Sequence, residues 1–173
     1  MSKIKDNLRI IFPIWVIAGI FGYIYEVIFY YFDKGYLINR GSTFGPWIPI
    51  YGFGAIFIYL ITKKIKSKKI LVFLVSSLVC GLLEFLTAFL LFKIGHIRLW
   101  DYNVELFNFG NIGGYICLRS ILLWGFCGLL LVYLIIPLIE KIYKKFNEHI
   151  VYLIWKILSI LFLFDFIIHI IVV

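Results

Sequence analysis

The sequence predicts an all-α fold, a polytopic membrane helix bundle of about five transmembrane helices, and three observations carry that prediction. Of the 173 residues, 64% are hydrophobic and only 15% charged, with a mean hydropathy of +1.04. A soluble domain of this size has too little interior to hide so much apolar surface, whereas a bilayer acts as its solvent. The apolar residues gather in runs near the roughly 20 residues needed to cross a hydrocarbon core. The basic residues sit in short clusters between those runs, as orientation in a membrane requires, and not in one stripe. That placement removes nucleic acid as the partner for the net charge of +8 and makes the lipid bilayer the partner instead.

Taken in order, the spans fall near Ile10–Phe32, Pro46–Thr62, Ile70–Phe92, Tyr115–Ile139 and Ile150–Val172. The first run is too long for a signal-peptide core and lacks a small-residue cleavage site, so it is expected to stay as helix one. The second is the shortest and opens on Pro46 and Pro49, residues tolerated in a first helical turn. Pro137 marks the far end of the fourth, where a helix stops or bends. Residues 1–145 thus form a four-helix membrane domain, with 146–173 as a C-terminal transmembrane helix.

Loop charge sets the expected orientation. The segment before helix one, the link from helix two to three and the link from four to five together hold 11 basic residues, among them Lys3, Lys63 and Lys144; the other two loops hold 4, namely Lys34, Arg40, Lys93 and Arg98. The richer side is cytoplasmic by the positive-inside rule, so the N-terminus lies in the cytoplasm and the C-terminus outside. The abundance of Ile, Lys, Tyr and Asn suits an AT-rich bacterial genome and hence a bacterial plasma membrane. A weak internal repeat accompanies this topology. Gly22 to Glu26 resembles Gly81 to Glu84, and Gly52-Phe53-Gly54-Ala55 resembles Gly125-Phe126-Cys127-Gly128. Such matches suggest two parallel helix-pair repeats plus a fifth helix.

Five formal charges fall inside the spans: Glu26, Glu84, Arg119, Lys156 and Asp165. Each costs roughly 2.5–3.5 kcal/mol at a helix centre, so they are expected to face one another or a polar cavity. All but Lys156, which can snorkel to the headgroups, lie in the outer half of the expected bilayer. Ala18, Gly22 and Glu26 share one helix face, as do Ser77, Gly81, Glu84 and Ala88, and small residues let such faces pack closely. Both glutamates therefore look into the bundle, either as ligand or proton-transfer groups or as ion-pair glue with Arg119 and helix-end amides.

The two outer loops add further candidates. The first contains Asn39 and Arg40; the second contains His96, Arg98, Trp100, Asp101, Tyr102, Glu105, Asn108 and Asn111. Such loops fit either a site that dips into the bundle or an interfacial aromatic belt. Asp165 and His169 share a face of helix five, but no metalloenzyme spacing is present and no metal is expected. Cys80, Cys117 and Cys127 lie in apolar runs, where packing is the simplest role. Ser42, Thr43 and Ser120 are nucleophile types without an elbow or base beside them, so catalytic residues stay unassigned. No phosphate-cradling loop occurs, so neither nucleotide nor any other cofactor is expected.

Several of these residues carry a resemblance. Tyr25-Glu26, Asn39-Arg40-Gly41, Gly45-Pro46, Pro49-Ile50-Tyr51-Gly52, Glu84, Trp100-Asp101-Tyr102, Asn108, Gly114-Tyr115-Ile116-Cys117 and Trp124-Gly125 resemble, in order, the CmpB-like ABC-transporter permease family of small multi-pass membrane proteins. The resemblance covers roughly Gly19 to Ile139. One departure is Tyr115, where the family has a basic residue, with Arg119 one turn later as the nearest substitute. The resemblance implies a permease-like subunit acting as a homo-oligomer or with a separate ATPase subunit. Substrate-binding residues are then expected among Glu26, Asn39, Arg40, Glu84, Trp100, Asp101, Tyr102, Asn108 and Arg119, lining an outward-facing pocket for a small solute or lipid. The alternative is a membrane-embedded enzyme acting on a lipid or lipid-linked substrate at the outer leaflet, with two carboxylates dividing acid and base roles.

Overall fold

A computed structural model describes residues 3–41 and 43–172, with side chains over 6–41 and 43–171. Ser42 lies outside the described residues. The described residues are all-α, as expected: α1 spans Lys3–Lys34, α2 Pro49–Thr62, α3 Lys69–Gly95, α4 Leu118–Lys145 and α5 Glu148–Val172. Four of these, all but α2, are long and apolar enough to cross a membrane. The 14 residues of α2 extend about 21 Å, shorter than a hydrocarbon core.

Local chemistry accounts for the helix ends. Helix α1 closes on Gly35, whose φ of 80° is the left-handed conformation glycine adopts freely, and whose amide donates to Tyr31 O at 2.9 Å. Helix α2 begins at Pro49 rather than at Pro46, since the residue before a proline is disfavoured in the helical region; that residue, Ile48, donates its amide to Gly19 O at 3.0 Å. Pro137 neither stops nor ends α4. The five residues Leu131–Ile135 just before it widen into a π-turn, after which the α-helix resumes over Ile136–Lys145. Proline cannot donate to the carbonyl four residues back and its ring crowds that oxygen; a wider turn makes the room.

The described chain divides into two compact units, the first comprising residues up to Ile56 and from Tyr133 onward, the second Phe57–Val132. In the first, α5 packs on α1. Phe162 and Trp15 form the buried centre with ring centroids 4.4 Å apart, and Trp47 stacks on Phe162 at 4.8 Å. The Ser159 hydroxyl donates to the Phe12 carbonyl at 3.0 Å, a polar tie from α5 to α1 beside Pro13. In the second unit, α3 packs along the start of α4. Its seam is made of small residues: Ser76, Ser77 and Gly81 on α3 face Gly125, Gly128 and Ile121 on α4.

The register of the expected repeat recurs inside each unit. Trp15 lies eleven residues before Glu26, and Phe73 lies eleven before Glu84. A Cβ on Gly52 would meet the Trp15 ring at 2.6 Å, and one on Gly125 would meet the Phe73 ring at 2.5 Å. Each glycine is the notch into which the aromatic of the preceding long helix fits. Eleven residues before each stands a left-handed loop glycine, Gly41 at φ 97° and Gly114 at φ 80°.

Candidate functional site: helix acids that hold the loops after α1 and α3

In the first unit, Glu26 on α1 is half-buried and accepts from Arg40 Nε at 3.2 Å. The Arg40 guanidinium lies 3.9 Å over the Tyr30 ring, which satisfies its face as the carboxylate satisfies its edge. Beside it, the Tyr23 hydroxyl donates to Asn39 Oδ1 at 2.9 Å. Glu26, Asn39 and Arg40 therefore come together where α1 meets the loop after it.

The same loop is held by a second acid that sequence reasoning left without a partner. Asp165 on α5 accepts from the backbone amides of Phe44 at 3.0 Å and Gly45 at 2.8 Å, and from Trp47 Nε1 at 2.7 Å. The Thr43 hydroxyl closes the turn by donating to Trp47 O at 2.7 Å. Donors enough are already on Asp165 to offset burial of its charge without any metal. No group of three or more His, Cys, Asp or Glu side chains suited to a metal ion occurs among the described residues.

In the second unit, Glu84 is 6% exposed and accepts from two neutral donors. The Tyr102 hydroxyl donates to Glu84 Oε1, and Trp124 Nε1 donates to Oε2 at 2.9 Å. Burial first, and the Glu84 charge second, push the Tyr102 phenol well above the ordinary tyrosine value, so it stays protonated and remains a donor. Arg119 donates to Glu105 Oε2 at 2.7 Å and lies 5.4 Å from the Tyr102 ring centre. Glu105 and Trp124 are thus members of this cluster that the sequence reading left out. Glu105 was visible only as one more loop acid. Trp124 was visible only as part of a Trp-Gly pair.

The rest of the loop between α3 and α4 is built on Asp101, Trp100 and the asparagines. Asp101 accepts from the Asn103 amide at 3.0 Å and its Nδ2 at 2.7 Å, and pairs with Arg98 at 3.1 Å. Arg98 also lies over the Phe92 ring at 4.3 Å. Trp100 Nε1 donates to Tyr115 O at 3.1 Å. Asn111 bridges Asn103 Oδ1 at 2.7 Å and the Gly114 amide at 2.8 Å, while Asn108 reaches Asn103 O at 3.4 Å. A Cβ on Gly114 would collide with Asp101, Asn103 and Arg98, so the loop needs glycine there for space as well as for its positive φ. Tyr115, where the resembling family has a basic residue, packs edge-on against Phe85 and Phe89 with centroids 5.8 Å away.

Long apolar helices whose acids pin the ordered loops between them define a multi-pass membrane protein. The chain belongs to the family described as "Putative ABC-transporter type IV", which matches residues 13–170. That match runs on through α5, beyond Ile139 where the resembling motifs end. No curated protein and no solved structure matches the chain.

Proposed function

We propose that this protein is the membrane-embedded, permease-like subunit of an ABC-type transporter and that it receives a small solute or a lipid at its outer side through Glu26, Asn39 and Arg40. The observation that carries this reading is the state of the Glu26–Arg40 pair. Its side chains keep 18% and 21% of their surface exposed, beside the Tyr23–Asn39 hydrogen bond. A partly open ion pair can exchange its mutual contact for a charged or zwitterionic group on a ligand, at modest cost. Glu84, Trp100, Asp101, Tyr102, Asn108 and Arg119 hold the second loop in shape and support binding by positioning it. The N-terminus and the lysine-rich links are placed in the cytoplasm, where an ATPase subunit would bind, and the C-terminus outside. Membership of the family and the four spanning helices support the transport reading.

Native mass spectrometry of the protein released gently from its own membrane tests this. A stoichiometric nucleotide-binding subunit, together with loss of ligand-stimulated ATPase in Arg40→Ala but retention of the assembly, is the expected result. A lone chain or homodimer carrying one chemically altered lipid would overturn it in favour of a lipid-modifying enzyme.

A further inference from the structure

The second outer loop, residues 96–117, is turned inside out between Asn103 and Gly114. Val104, Leu106, Phe107, Phe109 and Ile112 are its large apolar side chains, and all five face outward, with Val104 68%, Phe107 63% and Phe109 67% exposed. The one formal charge in this stretch, Glu105, is turned inward, its side chain 4% exposed against Arg119. Water would select the opposite arrangement, since a solvated loop exposes its charges and hides its rings. The arrangement is also fixed rather than incidental. Hydrogen bonds from Asn103, Asn108, Asn111 and Tyr102 spend the loop's polar groups on one another and on the backbone, and Phe107 takes a positive φ of 55°.

The apolar tip is continuous with a surface that meets lipid. Leu118, Leu122, Phe126 and Leu130 form an exposed stripe along α4, one residue every four, and Leu82, Leu86 and Leu90 do the same on α3. The Leu118 amide donates to Phe109 O at 2.8 Å, and Gly110 lies against the Leu118 side chain, so the loop tip stands directly at the head of the α4 stripe. We infer that this loop is a membrane-seated anchor whose apolar tip lies in the outer leaflet, at the boundary of headgroups and acyl chains. The occupant of its outer face is phospholipid, which satisfies rings and aliphatic groups without asking for charge, and hydrogen bonds within the loop satisfy the amides of Tyr102, Val104, Asn111, Ile112 and Gly114, as backbone in that region requires. This inference does not depend on which ligand the first unit receives.

The test uses the full-length protein in phosphatidylcholine vesicles, with Phe109→Trp, Val104→Trp and Ile112→Trp made separately. The added indole emission is taken as the difference from the unsubstituted protein. Lipids brominated near the headgroup end of the acyl chain should quench it several-fold more than aqueous iodide does, at two or more of the three positions. Stronger quenching by iodide would place the tip in water and overturn the inference. Emission shielded from both quenchers would also overturn it, by assigning the surface to a protein contact such as a second copy of the chain. Three positions on different parts of the loop keep the test decisive if one variant fails to fold.

Discussion

The two units answer the same problem, an acid on a membrane helix, in different ways. Glu26 is met by a cation from the following loop and stays partly open. Glu84 is met by a phenol and an indole and is sealed. A charge partner tolerates water at its edge, because the attraction survives partial solvation. Neutral donors depend on a dry surrounding, where each hydrogen bond is worth more and each missing one costs more. The difference teaches that a sealed acid needs every one of its neutral donors, whereas a partly open one is met by a charge.

Glu84→Ala should break the comparison hardest. It strands the Tyr102 hydroxyl and the Trp124 N–H in a dry site, for a loss of about 4 kcal/mol in thermal or denaturant unfolding in detergent. Retention of normal stability would show that Glu84 is not sealed. Next come the paired glycine notches. Gly125→Ala and Gly52→Ala should each cost about 2 kcal/mol, because each Cβ lands on an aromatic ring. Unequal losses would mean that the two units do not share one register.

Tyr102→Phe should cost about 1.5 kcal/mol at neutral pH. It also carries a pH signature. The fold raises the phenol above its ordinary value of 10.0, so the stabilisation is complete below that value and is lost as pH rises through the higher folded one. Unfolding followed against pH should show a steeper alkaline fall in the unsubstituted protein than in the phenylalanine variant. The smallest stability change, about 1 kcal/mol, is expected for Arg40→Ala, since a partly exposed pair contributes little. If that variant unfolded as readily as Glu84→Ala, the contrast between an open and a sealed acid would collapse.

Much of the fold was legible because hydropathy and helix period respond to the bilayer directly. The runs around Ile10–Phe32 and Ile70–Phe92 lie within α1 and α3, whereas the pairing of Glu26 with Arg40 was not foreseen, since Arg119 was the cation expected beside both glutamates. What the sequence hid has physical causes. Opposite charge singled out Arg119 as a partner for Glu84, but nothing in the sequence picked out Glu105, which the loop folds onto Arg119. Neutral donors such as Trp124 leave no charge to read. Asp165 binds mainly backbone amides, which every residue has, so no residue type could have announced its partner. Two prolines stand three residues apart at the start of α2, and either can open a helix, so the sequence could not choose Pro49 over Pro46.

The contact between Asp165 and the amides of Phe44 and Gly45 joins residues about 120 positions apart. A chain emerging at roughly 5–20 residues per second makes the first loop on the order of ten seconds before it makes the acid that orders it. The second unit, by contrast, is one uninterrupted stretch and has all its parts as soon as Val132 is synthesised. Assembly is therefore staggered in time: the sealed acid is in place first, and the open one receives its final surroundings only when the last helix arrives.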